Sequence, residues 1–185
     1  MADVSPRFAV LGVCTANICR SPIIEAVLRD QLDDGYFEVA SAGVRGWVEK
    51  PMEAMAAMEL MRLGLTPGSF RSHPIDDYFV DSASLILTAT TGHRSEILGT
   101  APEALRRTFT LVEFAQLVGT VEADDPASLV AEAARLRSRA RGDLDIIDPY
   151  KRKPAVYRAV ADQINEACLT IASRLNSLVV SADRG

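Results

Sequence analysis

Cys14-Thr15-Ala16-Asn17-Ile18-Cys19-Arg20-Ser21-Pro22 is the stretch on which the reading of this chain turns. It closes the apolar run Phe8–Cys14 (FAVLGVC), which reads as a buried strand. It opens Pro22–Leu32, where Ile23, Ile24, Val27, Leu28 and Leu32 keep an apolar stripe near a 3.6-residue period. Ser21 then reads as the N-cap and Pro22 as the first helical residue. A loop between a strand end and a helix start aims successive backbone N–H groups inward, and the helix N-terminus adds partial positive charge. Together they predict a nest for a phosphate-sized oxyanion. Cys14 lies at its base, in a field that favours a negative sulfur. Arg20, six residues on, can fold back and hold two oxygens of a phosphoryl group through its planar fork. Ser21 can donate its hydroxyl to the sulfur, and Asn17 can hydrogen-bond across the loop. A cysteine and an arginine at this spacing also occur by chance, with the cysteine a plain strand residue; strand, loop and helix in succession supply the context.

Outward from the loop, Phe37–Ser41 (FEVAS), Ser84–Thr90 (SLILTAT) and Thr108–Phe114 (TFTLVEF) read as further strands. Met52, Met55, Met58 and Met61 recur every third residue ahead of the stop signal Gly64, a pattern read as flexible core filling. Ala127–Ala140 reads as a helix capped by Asp125 with Pro126 first, and Val156–Val180 as a long C-terminal helix that buries Cys168 as an inert core residue. Strands alternating with helices predict one α/β domain over residues 1–185. It has a four-stranded, parallel, twisted sheet, helices on both faces and the phosphate-binding loop after the first strand. Gly119–Asp125 and Arg137–Gly142 read as surface insertions.

Of the 185 residues, 48% are hydrophobic and 24% charged, with 11 glycines and 9 prolines, which excludes a disordered or collagen-like chain. A net charge of −5 argues against a broad grip on nucleic acid or anionic lipid, so any anion site is local. No apolar run approaches a membrane span, and Met1–Arg7 is too polar to begin a secretory signal, so a cytoplasmic protein is expected. Three cysteines are too few for a disulfide scaffold. His73 and His93 stand apart from carboxylates and thiols, so structural roles and no metal or other cofactor are expected.

The loop resembles the Cys-x-x-Asn-x-Cys-Arg-Ser-Pro signature of the low-molecular-weight protein-tyrosine phosphatases. The likeness continues with Ser41-Ala42-Gly43, Trp47, Ser72-His73, Leu85–Thr88 and Asp148-Pro149-Tyr150. It implies a two-step phosphatase using a cysteinyl-phosphate. Cys14 would be the nucleophile, Arg20 the phosphate clamp, and Asp148 the acid that protonates the leaving group and then activates water. Asp148-Pro149 also reads as an ordinary helix cap. The resemblance further implies that Thr15, Ala16, Asn17, Ile18, Cys19 and Ser21 cradle the phosphoryl group and that Trp47 and Tyr150 flank an aryl ring. Ser41 and His73 would give structural support. A reversible Cys14–Cys19 disulfide would shelter the nucleophile, with simple packing of Cys19 as its rival. The implied partners are a phosphotyrosine protein and a tyrosine kinase, acting on a monomer or weak dimer.

Four departures mark this chain. Lys151, Arg152 and Lys153 stand where relatives often carry a second aromatic, which makes the wall more basic and suits acidic phosphopeptides, or is a solvated charge run. Ala16 replaces a frequent glycine, Ser84–Thr90 lacks an aspartate and a methionine common in relatives, and Gly119–Gly142 is long. Rival readings are an arsenate reductase, which usually has Ser-Gln after the arginine and needs further thiols, and a phosphate-binding module without turnover. A third is an arginine phosphatase, which the resemblance associates with threonine where Ile18 stands.

Overall fold

A computed structural model describes residues 7–182; residues 1–6, most of the polar start, lie outside the described residues. Strands β1 (Phe8–Cys14), β2 (Phe37–Gly43), β3 (Leu85–Thr88) and β4 (Thr108–Thr110) pair in parallel in the order β2-β1-β3-β4. Parallel neighbours need crossovers, and helices supply them. They are α1 (Arg20–Gln31), then α2 (Ala54–Arg62) and α3 (Asp77–Ser82), then α4 (Thr91–Thr100). After β4 come α5 (Leu111–Val118), α6 (Pro126–Arg135) and α7 (Pro154–Ala182). The chain leaves β1 for β2 on one side and returns to β3 on the other, so the loop after β1 opens at the switch point of the sheet, where such folds bind ligands.

Alternation along β1 sorts the core into two layers. Val10 packs with Ile23, Ile24 and Leu28 of α1, Phe114 of α5 and Ile164 of α7. Leu11 and Val13 face the smaller layer with Val80 of α3 and Ile97 of α4. Helices therefore cover both faces, as expected. On α7, Val160, Ile164, Cys168, Ile171 and Leu175 are buried at spacings of three and four residues, and Cys168 is the core residue the pattern predicts.

Four expectations need correction. Thr108–Phe114 is not one strand: it stops at Thr110, where a reciprocal cap starts α5. Thr110 Oγ1 accepts from Glu113 N at 3.1 Å, and the Glu113 carboxylate accepts from Thr110 N at 3.2 Å. Helix α1 begins at Arg20, not Pro22, and its N-cap position is Cys19, which makes no side-chain cap; Ser21 is committed elsewhere, as shown below. Helix α6 does start at Pro126 with Asp125 as cap, but it ends at Arg135 and yields to a short 3₁₀ turn, Arg137–Arg139. The Arg137 guanidinium lies 4.4 Å from the centre of the Phe109 ring and donates to Thr108 O, so this excursion is tied to the end of the sheet. Of the methionine stripe, Met52 is buried, whereas Met58 and Met61 are exposed on the outer side of α2. Gly64, at φ +86°, ends that helix as predicted.

Candidate active site

The loop after β1 takes its shape from the segment that follows β2. Val44 N donates to Cys14 O, Arg45 N to Thr15 O, Trp47 N to Ala16 O and Glu53 N to Ile18 O, at 2.8–3.1 Å. A planar trans peptide holds its C=O and N–H on opposite edges. Drawing these carbonyls outward therefore turns the N–H groups of Thr15, Ala16, Asn17 and Cys19 to the inside of the loop, the nest the sequence predicts. So close an approach needs Gly43. A Cβ there would meet Thr15 O at 2.6 Å and Asn17 N at 2.9 Å.

Asn17 is fully buried in the left-handed region at φ +57°, a conformation asparagine tolerates. Its Nδ2 donates to Ser21 Oγ at 2.9 Å and Ser41 Oγ at 2.8 Å, and its Oδ1 accepts from His73 N at 2.8 Å. Ser41 in turn donates to the buried Glu25 carboxylate, which Arg29 also holds. Ser41 and His73 thus both contact the loop or its flank, His73 through its backbone, whose N–H donates to Asn17 and whose carbonyl accepts from Gly43 N at 2.9 Å, while the residue is exposed. Ala16 does not occupy the left-handed position.

Cys14 is buried, with Sγ 3.0 Å from Ser21 Oγ. The Ser21 hydroxyl accepts from Asn17, so its own proton faces either Cys14 Sγ or the Ala42 carbonyl at 3.3 Å. Both lie within hydrogen-bond reach of the hydroxyl, so Ser21 is engaged by Asn17, Cys14 and Ala42 together. This commitment is why Ser21 does not cap α1.

Arg20, 3% exposed, donates through Nη1 to Ile146 O at 3.0 Å and through Nη2 to Thr15 Oγ1 at 3.2 Å. Its Nη2 also lies 3.0 Å from Asp148 Oδ2. Its buried Nε has no hydrogen-bond partner among the described residues, so the fork keeps a donor for an incoming acceptor. The loop carrying Asp148 is anchored by Ile146 N donating to Ala89 O and by Thr91 N donating to Asp145 Oδ1. Cys14, Arg20, Asp148, Trp47 and Tyr150 line one cavity of about 300 Å³. Trp47 and Tyr150 meet edge to face at its mouth, with ring centres 6.2 Å apart and both partly exposed. A larger cleft of about 770 Å³ opens behind the loop, between α1 and residues 65–73. It contains neither the sulfur nor the acid and is lined by Ser41, Glu25 and His73, which support the loop from behind.

Cys19 and Ile18 are buried in the larger core layer, and both also line the cavity. Burial, then the neighbouring Cys14, pushes the Cys19 thiol up, so it is a protonated, packed group; all three cysteines are free. The sequence reading left His93 without a partner, yet its ring lies 2.8 Å from Thr15 Oγ1 and 2.8 Å from Thr90 Oγ1. Burial, reinforced by the Arg20 charge, pushes His93 down to about 4, leaving it neutral at neutral pH. Glu25, Ile146 and the 44–53 segment were missed as well. For the 44–53 segment the neighbouring Gly43 carried a signal, since a glycine marks a close backbone approach; Glu25 and Ile146 carried none. Among the described residues no group of three His, Cys, Asp or Glu side chains could hold a metal ion, and no helix is long and apolar enough to cross a membrane.

Fold and loop together define a class: α/β proteins that hold an oxyanion nest over a cysteine at the switch point of a parallel sheet. The sequence model of the low molecular weight phosphotyrosine protein phosphatases matches residues 9–138. The chain is 31% identical over 170 residues to a protein-arginine-phosphatase of Geobacillus stearothermophilus, covering 92% of this chain and 97% of that one. It is 34% identical over 118 residues to the low molecular weight protein-tyrosine-phosphatase Etp of Escherichia coli K12, covering 64% and 76%. Among solved structures, the YwlE arginine phosphatase from Geobacillus stearothermophilus matches with a TM-score of 0.74 at 30% identity, over 94% of this chain and 96% of that one. The chain belongs to the low molecular weight phosphotyrosine protein phosphatase family and is a phosphatase, a hydrolase. The matched span ends short of Asp148-Pro149-Tyr150, so the role of that loop rests on the contacts described above.

Proposed function

We propose that this phosphatase hydrolyses phosphotyrosine in proteins through a cysteinyl-phosphate. Cys14 Sγ attacks phosphorus. As the S–P bond forms, the bond from phosphorus to the phenolic oxygen breaks, and Asp148 gives its proton to that oxygen. Water then attacks the phosphocysteine, Asp148 takes a proton from it, and inorganic phosphate leaves as the S–P bond breaks. Arg20 and the inward amides hold the charge of the phosphoryl oxygens throughout, and Ser21 donates to the departing sulfur. The scheme balances without a cofactor.

The single observation that carries this reading is the placement of Arg20. Its guanidinium touches the Asp148 carboxylate at 3.0 Å and the loop at Thr15, Arg20 lines one cavity with Cys14, and its buried Nε has no hydrogen-bond partner among the described residues. The walls favour an aryl substrate. Trp47, Tyr150 and Ile18 are apolar, the charged residues Arg20 and Arg45 are cationic, and the one carboxylate, Asp148, is already held by Arg20. A guanidinium-bearing substrate would meet like charge there.

A second reading, phosphoarginine hydrolysis, is favoured by the 31% likeness to a protein-arginine-phosphatase over 92% of the chain. Initial rates on a phosphotyrosine peptide and on a phosphoarginine protein, side by side, decide between them. Faster phosphotyrosine turnover, abolished in Cys14→Ser, supports the first reading; faster phosphoarginine turnover replaces it with the second. Tight phosphate binding without turnover of either would overturn both.

A further inference from the structure

We propose that the mouth of the site selects phosphotyrosine flanked by acidic residues, with Lys151 and Arg45 as the specificity-determining side chains. This rests on the phosphotyrosine reading above.

The mouth is bounded by Trp47 on one segment and Tyr150 on the other, and each carries a cation beside it. Lys151 Nζ lies 5.2 Å from the centre of the Tyr150 ring. Arg45 lines the same cavity, two residues before Trp47. Lys151 sits at φ +58°, a conformation that costs a lysine free energy and that persists only where its surroundings impose it. The surroundings are plain: Lys151 N donates to Tyr157 Oη at 3.3 Å, and Arg152 N closes a turn onto Pro149 O at 2.8 Å. The turn sets the ammonium over the aromatic wall while the side chain stays open to water.

Lys151, Arg152 and Lys153 are exposed, and none has a carboxylate within ion-pair distance among the described residues. Arg45 pairs with Glu96 at 2.8 Å, but both side chains are open to water, so the pair is weak and exchangeable. On a chain of net charge −5, this unpaired cationic cluster is a local exception, placed where residues flanking a bound phosphotyrosine would lie. A solvated charge run would need neither the left-handed turn nor the ring contact.

The test uses two phosphotyrosine peptides, one flanked by Glu and Asp and the other by Lys and Arg, with kcat and KM measured at low and high salt. Each exposed pair is worth up to about fivefold, so two such contacts predict roughly a tenfold preference for the acidic peptide. The preference should lie in KM and fade near about 0.5 M salt. Lys151→Asn keeps a residue that accepts the left-handed turn and should cut the preference about threefold; Lys151→Glu should bring it to about unity, and Lys151→Arg should keep it. The readout is a ratio within one preparation, so partial unfolding of a variant cancels. A ratio within about twofold of unity in the wild type, or one unmoved by Lys151→Glu, overturns the proposal and leaves the phosphotyrosine reading standing. No turnover of either peptide, with turnover of a phosphoarginine protein, overturns both.

Discussion

Replacing Asn17 by alanine tests whether the loop is held from behind. The side chain makes three hydrogen bonds, two buried ones donated to Ser21 and Ser41 and a partly buried one accepted from His73 N. Each is worth about 1 kcal/mol net, and the orphaned His73 amide adds to the loss. Alanine must also adopt φ +57°, which costs it about 1 kcal/mol more. The expected destabilisation is about 4 kcal/mol, a large part of a typical 5–15 kcal/mol, and a fall in Tm of roughly 8–16 °C. Urea unfolding of Asn17→Ala, Ser41→Ala and the double variant measures it. Ser41 touches Asn17 and Glu25 but does not line the catalytic cavity, so the cycle isolates the link between them, expected at about 1 kcal/mol of non-additivity. In folded Asn17→Ala, kcat/KM should fall about 100-fold, because Ser21 and the inward amides lose their register with the sulfur. A loss of stability below about 1 kcal/mol, strict additivity with Ser41→Ala, or unchanged kcat/KM would refute the argument.

Asp148→Asn should lower kcat on phenyl phosphate by about 10²–10³-fold and on a better leaving group by less. It should also tighten binding of inorganic phosphate, because the variant frees Arg20 from its ion pair; unchanged leaving-group dependence removes Asp148 from its role. His93 is held near 4 in the fold against 6.5 when unfolded, so the unfolded chain binds the extra proton between these values. The stability His93 confers is then present above about pH 6.5 and lost as pH falls towards 4. Urea midpoints from pH 7 to 4.5 should drop more steeply in the wild type than in His93→Gln, and parallel slopes would contradict this. Glu113→Gln leaves the Arg94 and Arg137 guanidiniums without the buried carboxylate they share and should cost about 3 kcal/mol by thermal or urea unfolding. A cost under about 1 kcal/mol would show that the charge is dispensable.

What was legible in the sequence was what local pattern encodes. Phe8–Cys14, with its apolar run, is a central strand from end to end, the cysteine and serine of the following loop meet, and Arg20 folds back onto Thr15. Competition between signals explains the misreadings. TFTLVEF alternates like a strand, but Thr110 and Glu113 also form a reciprocal cap, and the cap prevails because β4 needs only Thr108–Thr110 to pair with β3. Ser21 and Pro22 look like a helix start, yet the Ser21 hydroxyl is drawn to Cys14 and Asn17, and the helix begins two residues earlier without a side-chain cap. Met58 and Met61 follow the stripe in number but rotate outward on α2. The partners of Thr15, Asn17 and Arg20 were not legible, because His93, Ser41 and Ile146 lie far along the chain and no local period announces them.

That last failure bears on how such a site works. The loop of residues 14–20 carries Cys14 and Arg20, and beyond the Arg20–Thr15 and Asn17–Ser21 bonds most of what fixes its conformation lies outside it. Its carbonyls are drawn outward by the 44–53 segment, Asn17 is held by Ser41 and the His73 amide, Thr15 by His93, and Arg20 by Ile146 and Asp148. Ser41 lies on β2, the 44–53 segment and His73 on the connection from β2 to β3, His93 on α4 after β3, and Ile146 and Asp148 on the segment before α7, so the nest depends on β2, β3 and the Asp148 loop docking together. An oxyanion cradle gains its strength from donors that need no reorganisation when charge develops, and donors anchored from several directions are the ones least able to reorganise. The same arrangement explains why Gly43 tolerates no side chain: the segment must lie against Thr15 and Asn17 to turn their peptide planes at all.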